Sequence, residues 1–300
     1  YPFVDIIVHG EGEYIIENIF KEYLKNKNFI DVKGIETKEF RNEPEPRIND
    51  LDGLPSPYLN NTVWDLVEKV DGVNWIASWE TNRGCPYQCT FCDWGSATNT
   101  RMRKWTEETL FKEIEWFANN KIPYIDCCDA NFGIYQERDF KLAKKLKEES
   151  LKKGFPERIR PAWAKFSSEK IIPIAKELQS ANLLRAVTLA VQSLDETTLE
   201  IIKRQNIKFD KFSELTETFR NEGIPTYTEI IMGMPGETLE SFKNGLEILA
   251  GDTKVGSIYV YNCGVFPNAP MNEPVYIDLH KIKKLRSPIF LSHSAIHDNE

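Results

Sequence analysis

Trp75-Ile76-Ala77-Ser78-Trp79 is followed, after three further residues, by Arg83-Gly84-Cys85-Pro86-Tyr87-Gln88-Cys89-Thr90-Phe91-Cys92-Asp93-Trp94-Gly95. The first stretch has the length and the aromatic and β-branched content of a strand. The second places three cysteines within eight residues, beside a glycine and a proline, and reads as a loop at the strand's C-terminal end. Thiolates are the usual ligands of iron–sulfur clusters. Cysteines spaced by four and then by three can hold three corners of a cubane from one loop. The fourth iron is then left without a nearby protein ligand and stays open to another molecule. Two other readings compete. Structural zinc wants four ligands, usually in paired short spacings. No partnered Cys or His pair lies at that distance, since Cys127 and Cys128 are adjacent and fall on a strand. A redox dithiol would use Cys89 and Cys92 and leave Cys85 unexplained.

Outward from the loop, strands and helices alternate. Thr106 caps a helix with Leu110, Ile114, Phe117 and Ala118 on one face, and Glu107 and Glu108 suit its first turn. A strand over Tyr124 to Cys128 precedes a charged helix from Asp139 to Lys153. Another strand is expected near Ala162 to Lys165, then a helix from Ser168 to Ser180. The fourth strand is Ala186 to Val191, with helices near Glu196 to Arg204 and Phe212 to Glu222 in its crossover. Tyr227 to Met232, a helix from Leu239 to Ala250, and Ser257 to Tyr261 complete the series. Six strand–helix units imply a parallel sheet. Right-handed crossovers that all turn the same way curl it into a partial (β/α)6 TIM-like barrel of α/β class, with reactive loops at the C-terminal strand ends.

Before the barrel, Val4 to Val8 reads as a short buried strand. His9-Gly10-Glu11-Gly12-Glu13 is a turn, and Ile15, Ile16, Ile19 and Phe20 form a helical stripe. Residues 26–72 lack sustained periodicity and contain Pro44, Pro46, Pro55 and Pro57; they are expected to be a linker wrapping the barrel. The formal net charge of −8 gives no general attraction for nucleic acid or an anionic membrane. No apolar run is long enough to span a bilayer, and no secretory leader opens the chain. Clustered cysteines in such a chain point to metal binding in a reducing cytoplasm rather than to disulfides. Because the sequence opens at Tyr1 in what reads as the middle of a fold, it is read as a piece of a longer polypeptide.

The Cys-x3-Cys-x2-Cys spacing, with Phe91 just before the last cysteine, resembles the signature of the radical S-adenosylmethionine superfamily. The resemblance covers residues 73–270 and implies a barrel of that superfamily's type. It further implies that Cys85, Cys89 and Cys92 hold a [4Fe–4S] cluster whose open iron chelates S-adenosylmethionine. One electron would then cleave the sulfonium to methionine and a 5′-deoxyadenosyl radical. The end of the second strand, Asp129-Ala130-Asn131-Phe132, resembles the cobalamin-linked branch. Asp129 and Asn131 are thereby candidates to hold the cofactor's amino group, against an ordinary Asx-capped turn.

Gln192-Ser193 stands where relatives often carry Glu-Ser. An amide at Gln192 would contact the cofactor without charge. Lys203 or Arg204 could pair with the cofactor carboxylate or lie on a solvated helix face. Gly233-Met234-Pro235-Gly236-Glu237-Thr238 resembles the family's Gly-x-Pro-Gly-Glu-Thr turn, where Gly233 lets backbone approach the cofactor. Phe266-Pro267-Asn268 falls where relatives cover the adenine. Arg101, Arg103 and Lys104 read as a solvated run, and Cys127, Cys128 and Cys263 as packing.

Residues 1–25 resemble the end of an upstream cobalamin-binding domain, and 271–300 the start of a C-terminal region that the chain breaks off. The implied function is radical cleavage of S-adenosylmethionine for cobalamin-dependent methylation of an unactivated carbon on a small-molecule or peptide substrate. A flavodoxin or ferredoxin would supply the electron, and neither nucleic acid nor membrane would take part. A radical cyclase, epimerase or methylthiotransferase, and a non-catalytic iron–sulfur protein, stand as alternatives.

Overall fold

A computed structural model of the chain describes residues 3–68, 70–94, 100–164 and 169–285. Strand β1 (Ile7–Val8), helix α1 (Gly12–Lys25) and β2 (Ile35–Glu36) come first. Next are β3 (Ile76–Trp79), β4 (Asn82–Arg83), β5 (Arg103–Lys104), α2 (Glu107–Asn119), β6 (Tyr124–Cys127), α3 (Gln136–Lys153) and β7 (Arg158–Arg160). The second half comprises α4 (Ile172–Ser180), β8 (Val187–Thr188), α5 (Glu196–Ile201), α6 (Phe209–Asn221), β9 (Thr226–Met232), α7 (Leu239–Asp252), β10 (Ser257–Asn262) and α8 (Pro274–His280). No helix among the described residues is long and apolar enough to cross a membrane.

The six major strands form two three-stranded parallel sheets, β3-β6-β7 and β8-β9-β10, each following chain order. Between them the chain stays adjacent at the Ile159 N–H, which donates to the Leu183 carbonyl at 2.9 Å. This is the partial barrel expected from the alternation. Register places Ala77, Ile125 and Ile159 side by side. These residues, with Trp79, Cys127 and Val187, pack outward in the main core against Leu110, Ile114, Phe117, Leu142 and Leu146 from α2 and α3. Alternate residues Ser78, Tyr124, Asp126, Arg160, Tyr227 and Glu229 take the opposite, inner face. Arg160 meets Asp126 there in a two-pronged ion pair of 2.9 and 2.7 Å.

Thr106 caps α2, its side chain accepting from the Thr109 N–H, and all four residues expected on the apolar face are buried. The proline-rich stretch straps this helix. Asp52 accepts from the Thr106 N–H at 3.0 Å and the Thr109 hydroxyl at 2.6 Å, while Ser56 donates to Glu113 at 2.6 Å. Ile48, Leu51 and Leu54 join the main core.

Several boundaries differ from the sequence expectation. The third strand lies at Arg158–Arg160, earlier than expected. Its outer face carries only Ile159, so the polar alternation concealed it, and Trp163 makes only a single bridge to Phe132. Lys165 and Ser168, where that strand would have ended and the next helix begun, lie outside the described residues. The described part of that helix opens as a tight turn at Glu169–Ile171. The fourth strand keeps a two-residue ladder and rejoins β9 at Gln192, which pairs with Ile230. The opening strand shrinks to β1, paired antiparallel with β2. Of the stripe on α1 only Ile15 is buried; Ile16 is 47% and Phe20 62% exposed.

Candidate active site

The cysteine loop hangs from a clasp. Directly after β3, the short strands β4 and β5 pair antiparallel, Arg83 opposite Arg103 and Asn82 opposite Lys104, and the three cysteines lie between these two strands in the chain. Gly84 adopts φ +103°, and a Cβ there would lie 2.5 Å from the Arg101 carbonyl oxygen, so glycine lets the two sides of the stem approach. The Thr100 N–H donates to the Cys85 carbonyl at 2.9 Å. On the far side, the Thr90 N–H donates to the Ile202 carbonyl at 3.0 Å and its carbonyl accepts from the Met271 N–H at 2.8 Å. The loop therefore bridges from the first strand to the end of α5 and to the segment after the last strand.

Cys85 and Cys89 are buried and Cys92 is half-buried. Among the described residues, no His, Cys, Asp or Glu side chains converge as the ligands of one ion would. Two polar groups dress the sulfurs. Asn131 donates its Nδ2 to Cys85 Sγ at 3.3 Å. Arg204, buried, hydrogen-bonds Cys89 and also donates to the Ala190 carbonyl and, at 3.1 Å, to Asn206 Oδ1. Burial pushes its guanidinium down from the ordinary range while the Cys89 and Cys92 sulfurs pull it up.

These residues fit the cluster and its cofactor. Thiolates in a buried loop need a compensating cation and donors, which Arg204 and Asn131 supply. Asn131 Oδ1 is buried with no partner among the described residues, an acceptor ready beside Cys85 for an ammonium group. Gly233, at φ +85°, has open space where a Cβ would stand.

Other candidates fall elsewhere. Asp129 is fully buried and accepts from the Thr81 N–H at 2.7 Å, the Asn82 N–H at 3.0 Å, Asn82 Nδ2 at 2.7 Å and the Thr81 hydroxyl. With its lone pairs so occupied, it braces the turn from β3 to β4 rather than reaching a cofactor. Burial pushes its carboxyl up to about 6 against those donors. Arg138, also buried, joins this brace through the Thr81 carbonyl at 2.7 Å and Asp139 at 2.6 Å.

Lys203 sits at φ +51°, exposed, on a surface groove of about 660 Å³ shared with Tyr87, Gln88 and Glu200. The left-handed turn there sends Arg204 to the sulfurs instead. Ser193 is buried and donates to Glu237 Oε1 at 2.9 Å, while Glu237 Oε2 accepts from the Gly233 N–H at 3.2 Å. That carboxylate, which burial pushes up, ties the fourth and fifth strand ends together and went unassigned in the sequence. Gln192 ends its strand at φ +66°. Phe91 packs with Ile202, Met234 and Met271, and Pro267 is exposed, its carbonyl accepting from Asn272 at 2.8 Å.

The basic run is not simply solvated. Arg103 is buried against Glu11 at 2.7 Å and Lys104 lies over the Tyr135 ring. Cys127 is packed in the core, and Cys263 rests on the sulfurs of Met234 and Met271. Cys128 departs from the packing expectation. Strand alternation turns it to the other face, where it is exposed on a cavity of about 790 Å³ lined also by Gly10, Glu13, Arg83, Trp94 and Ala130.

The sequence matches the radical SAM superfamily over residues 79–249, more than half of the chain. The chain belongs to that superfamily. It is 37% identical to the cobalamin-dependent radical SAM methyltransferase TokK of Streptomyces tokunonensis, over 100% of this chain and 45% of that protein. It is 36% identical to the 2-(S-pantetheinyl)-carbapenam-3-carboxylate methyltransferase of Streptantibioticus cattleyicolor, with the same coverage. The chain thus spans about half the length of these curated relatives. In fold it is similar to the radical S-adenosylmethionine methyltransferase TsrM of Kitasatospora setae, solved with cobalamin and a [4Fe-4S] cluster bound. The TM-score is 0.64 at 19% identity, covering 89% of this chain and 53% of that one. It is also similar to the cobalamin-dependent radical enzyme OxsB, with a TM-score of 0.61 at 18% identity over 92% and 40% of the two chains.

Proposed function

We propose that this chain is the catalytic barrel of a cobalamin-dependent radical SAM methyltransferase that methylates an unactivated carbon of a small molecule. The observation that carries the reading is the loop of Cys85, Cys89 and Cys92 flanked by the Asn131 amide and the buried Arg204. The methyl-transfer part is supported by the similarity of the whole chain to two proteins named as such methyltransferases.

When bound, the cluster and S-adenosylmethionine supply an electron and a 5′-deoxyadenosyl radical, and cobalamin supplies the methyl group. The chain's own residues do the rest. Asn131 Oδ1 accepts from the cofactor's amino group, while its Nδ2 holds Cys85 in place. Arg204 offsets the thiolate charge and would offer its guanidinium to the cofactor carboxylate. Gly233 and Gln192 bring backbone and amide to the rim. The barrel wall, braced by Asp129 and Arg138, keeps water from the reacting centre.

We assign residues 1–25 to the end of a cobalamin-binding unit and the 790 Å³ cavity to part of the corrin's seat. Two buried polar atoms beside it, Asn82 Oδ1 and Arg103 Nε, have no partner among the described residues and can serve a polar ligand there. Residues 26–72 act as the linker, and those from 271 as the start of a C-terminal region. The electron comes from a flavodoxin or ferredoxin in a reducing cytoplasm, for which the groove lined by Tyr87 and Cys89 offers a surface at one ligand cysteine.

The test uses the full-length protein, reconstituted anaerobically with iron, sulfide and cobalamin and given dithionite and S-adenosylmethionine. The expected result is 5′-deoxyadenosine together with a retained corrin absorbance. Formation of neither rejects the assignment; 5′-deoxyadenosine without corrin retention rejects the methyltransferase part alone.

A further inference from the structure

The stem of the cysteine loop carries a conflict that its own residues do not resolve. Arg83 and Arg103 are direct register partners across the β4–β5 ladder, so their side chains leave on one face of a clasp only two residues long per strand. Like charges directly opposite destabilise such a pair, and a two-stranded ladder of this length has little stability of its own.

The missing charge comes from the Gly10-Glu11-Gly12-Glu13 turn. Glu11 precedes α1 at the N-cap position, yet its carboxylate makes no capping bond. It accepts instead from Arg103 Nη1 at 2.7 Å and from the Ile48 N–H at 2.6 Å, and stands 3.6 Å from Arg83. Arg103 in turn donates to the Ile48 carbonyl at 2.5 Å. Glu13 and Glu80 pair with the other arginine at 2.5 and 2.8 Å. Glu11 and Arg103 are the members of this group most withdrawn from solvent, with side chains 12% and 6% exposed. At that depth the loss of one partner leaves the other charged and unpaired.

We infer that Glu11 is a positioning residue for the cluster loop: by neutralising the opposed Arg83 and Arg103 it holds the loop's stem closed, coupling the order of residues 84–94 and 100–104 to the seating of the N-terminal turn. Through this joint, a displacement of α1 is felt at the cysteines although α1 supplies no ligand to them. The inference rests on superfamily membership for the loop's role and not on the methyltransferase reading.

The experiment compares amide hydrogen exchange and chelator-driven iron release in the full-length, cluster-loaded protein and its Glu11→Gln variant. Exchange across residues 84–94 and 100–104 is expected to accelerate at least about tenfold, with β9 unchanged, and iron release to quicken in step. The double variant Glu11→Gln, Arg83→Gln should recover part of both effects, because it removes one of the two opposed charges. Glu13→Gln, which touches only the more exposed arginine, should move either readout less than about threefold. Unchanged exchange in the stem of Glu11→Gln overturns the inference, as does loosening that is equal in β9 or that Arg83→Gln deepens. If Glu11→Gln fails to fold, Arg83→Gln on the native background decides: a stem as tight as or tighter than the parent's supports the repulsion, and a looser one refutes it. Wild-type protein that holds no iron would instead count against the cluster itself.

Discussion

The two halves of the barrel meet the cysteine loop with different chemistry. The half built on β3, β6 and β7 ends in buried charge: Asp129, Arg138, Asp139 and Glu113 are all nearly inaccessible, Arg138 bonding Asp139 and, like Asp129, the Thr81 backbone, while Glu113 accepts from the Trp79 indole and the Ser56 hydroxyl. The half built on β8, β9 and β10 sends one buried ion, Arg204, to the sulfurs and otherwise ends in open or strained positions: Gln192 and Gly233 at positive φ, and Glu237 half-buried between them. Buried, mutually satisfied ions are costly to disturb, whereas rim groups with few partners are free to change partners. One half is a fixed anvil for the loop, and the other offers groups that a cofactor can engage. The largest test of this contrast is Arg138→Met. It leaves Asp129 and Asp139 without their shared cation and is expected to cost about 3–5 kcal/mol in chemical denaturation. A loss under about 1 kcal/mol would place the first half no deeper in the energetics than the second.

The second test uses acid. Burial raises the Asp129 carboxyl from 3.8 to about 6. Between those values the folded protein holds a proton that the unfolded chain has released. This group therefore adds stability below about pH 4, and the contribution is lost as the pH rises through 6. A gap of about two pH units corresponds to on the order of 3 kcal/mol. The stability difference between the parent and Asp129→Asn should fall across pH 4 to 6. A flat difference would mean that the four donated bonds keep the carboxylate ionised throughout.

The halves also differed in how far the sequence foretold them. Cysteine spacing, the Thr106 cap and the Gly233–Thr238 turn are local patterns, and each was legible. Asp129 was legible as a position but not as a role, since its four donors come from Thr81 and Asn82, far away in the chain. Asp139 read only as the start of a charged helix and Arg138 drew no reading, because sequence alone does not disclose their burial. Arg103 looked like part of a solvated run, because its partner Glu11 lies more than ninety residues upstream. The choice between Lys203 and Arg204 turned on a left-handed residue at a helix end. Helical phase does not choose between them, because α5 ends at Ile201 before either residue.

The smallest expected effect sharpens the contrast most. Gln192 holds φ +66°, a conformation that costs a residue with a Cβ about 1 kcal/mol and that glycine adopts freely. Its backbone is fixed from both sides, its N–H donating to the Glu229 carbonyl at 2.9 Å and its carbonyl accepting from the Ile231 N–H at 2.8 Å, so the strain cannot relax. Gln192→Gly keeps both bonds, relieves the strain and gives up backbone entropy in the unfolded chain, so the net change in stability should lie within about 1 kcal/mol of zero. The side-chain amide would nonetheless be gone from the rim. If the second half is built for binding, the affinity of the cluster-loaded protein for S-adenosylmethionine, measured by calorimetry, should weaken several-fold while the melting temperature barely moves. Full affinity in Gln192→Gly would make the strained residue a feature of the strand end alone. A large fall in melting temperature would mean that the second half, like the first, is held together by the residues at its mouth.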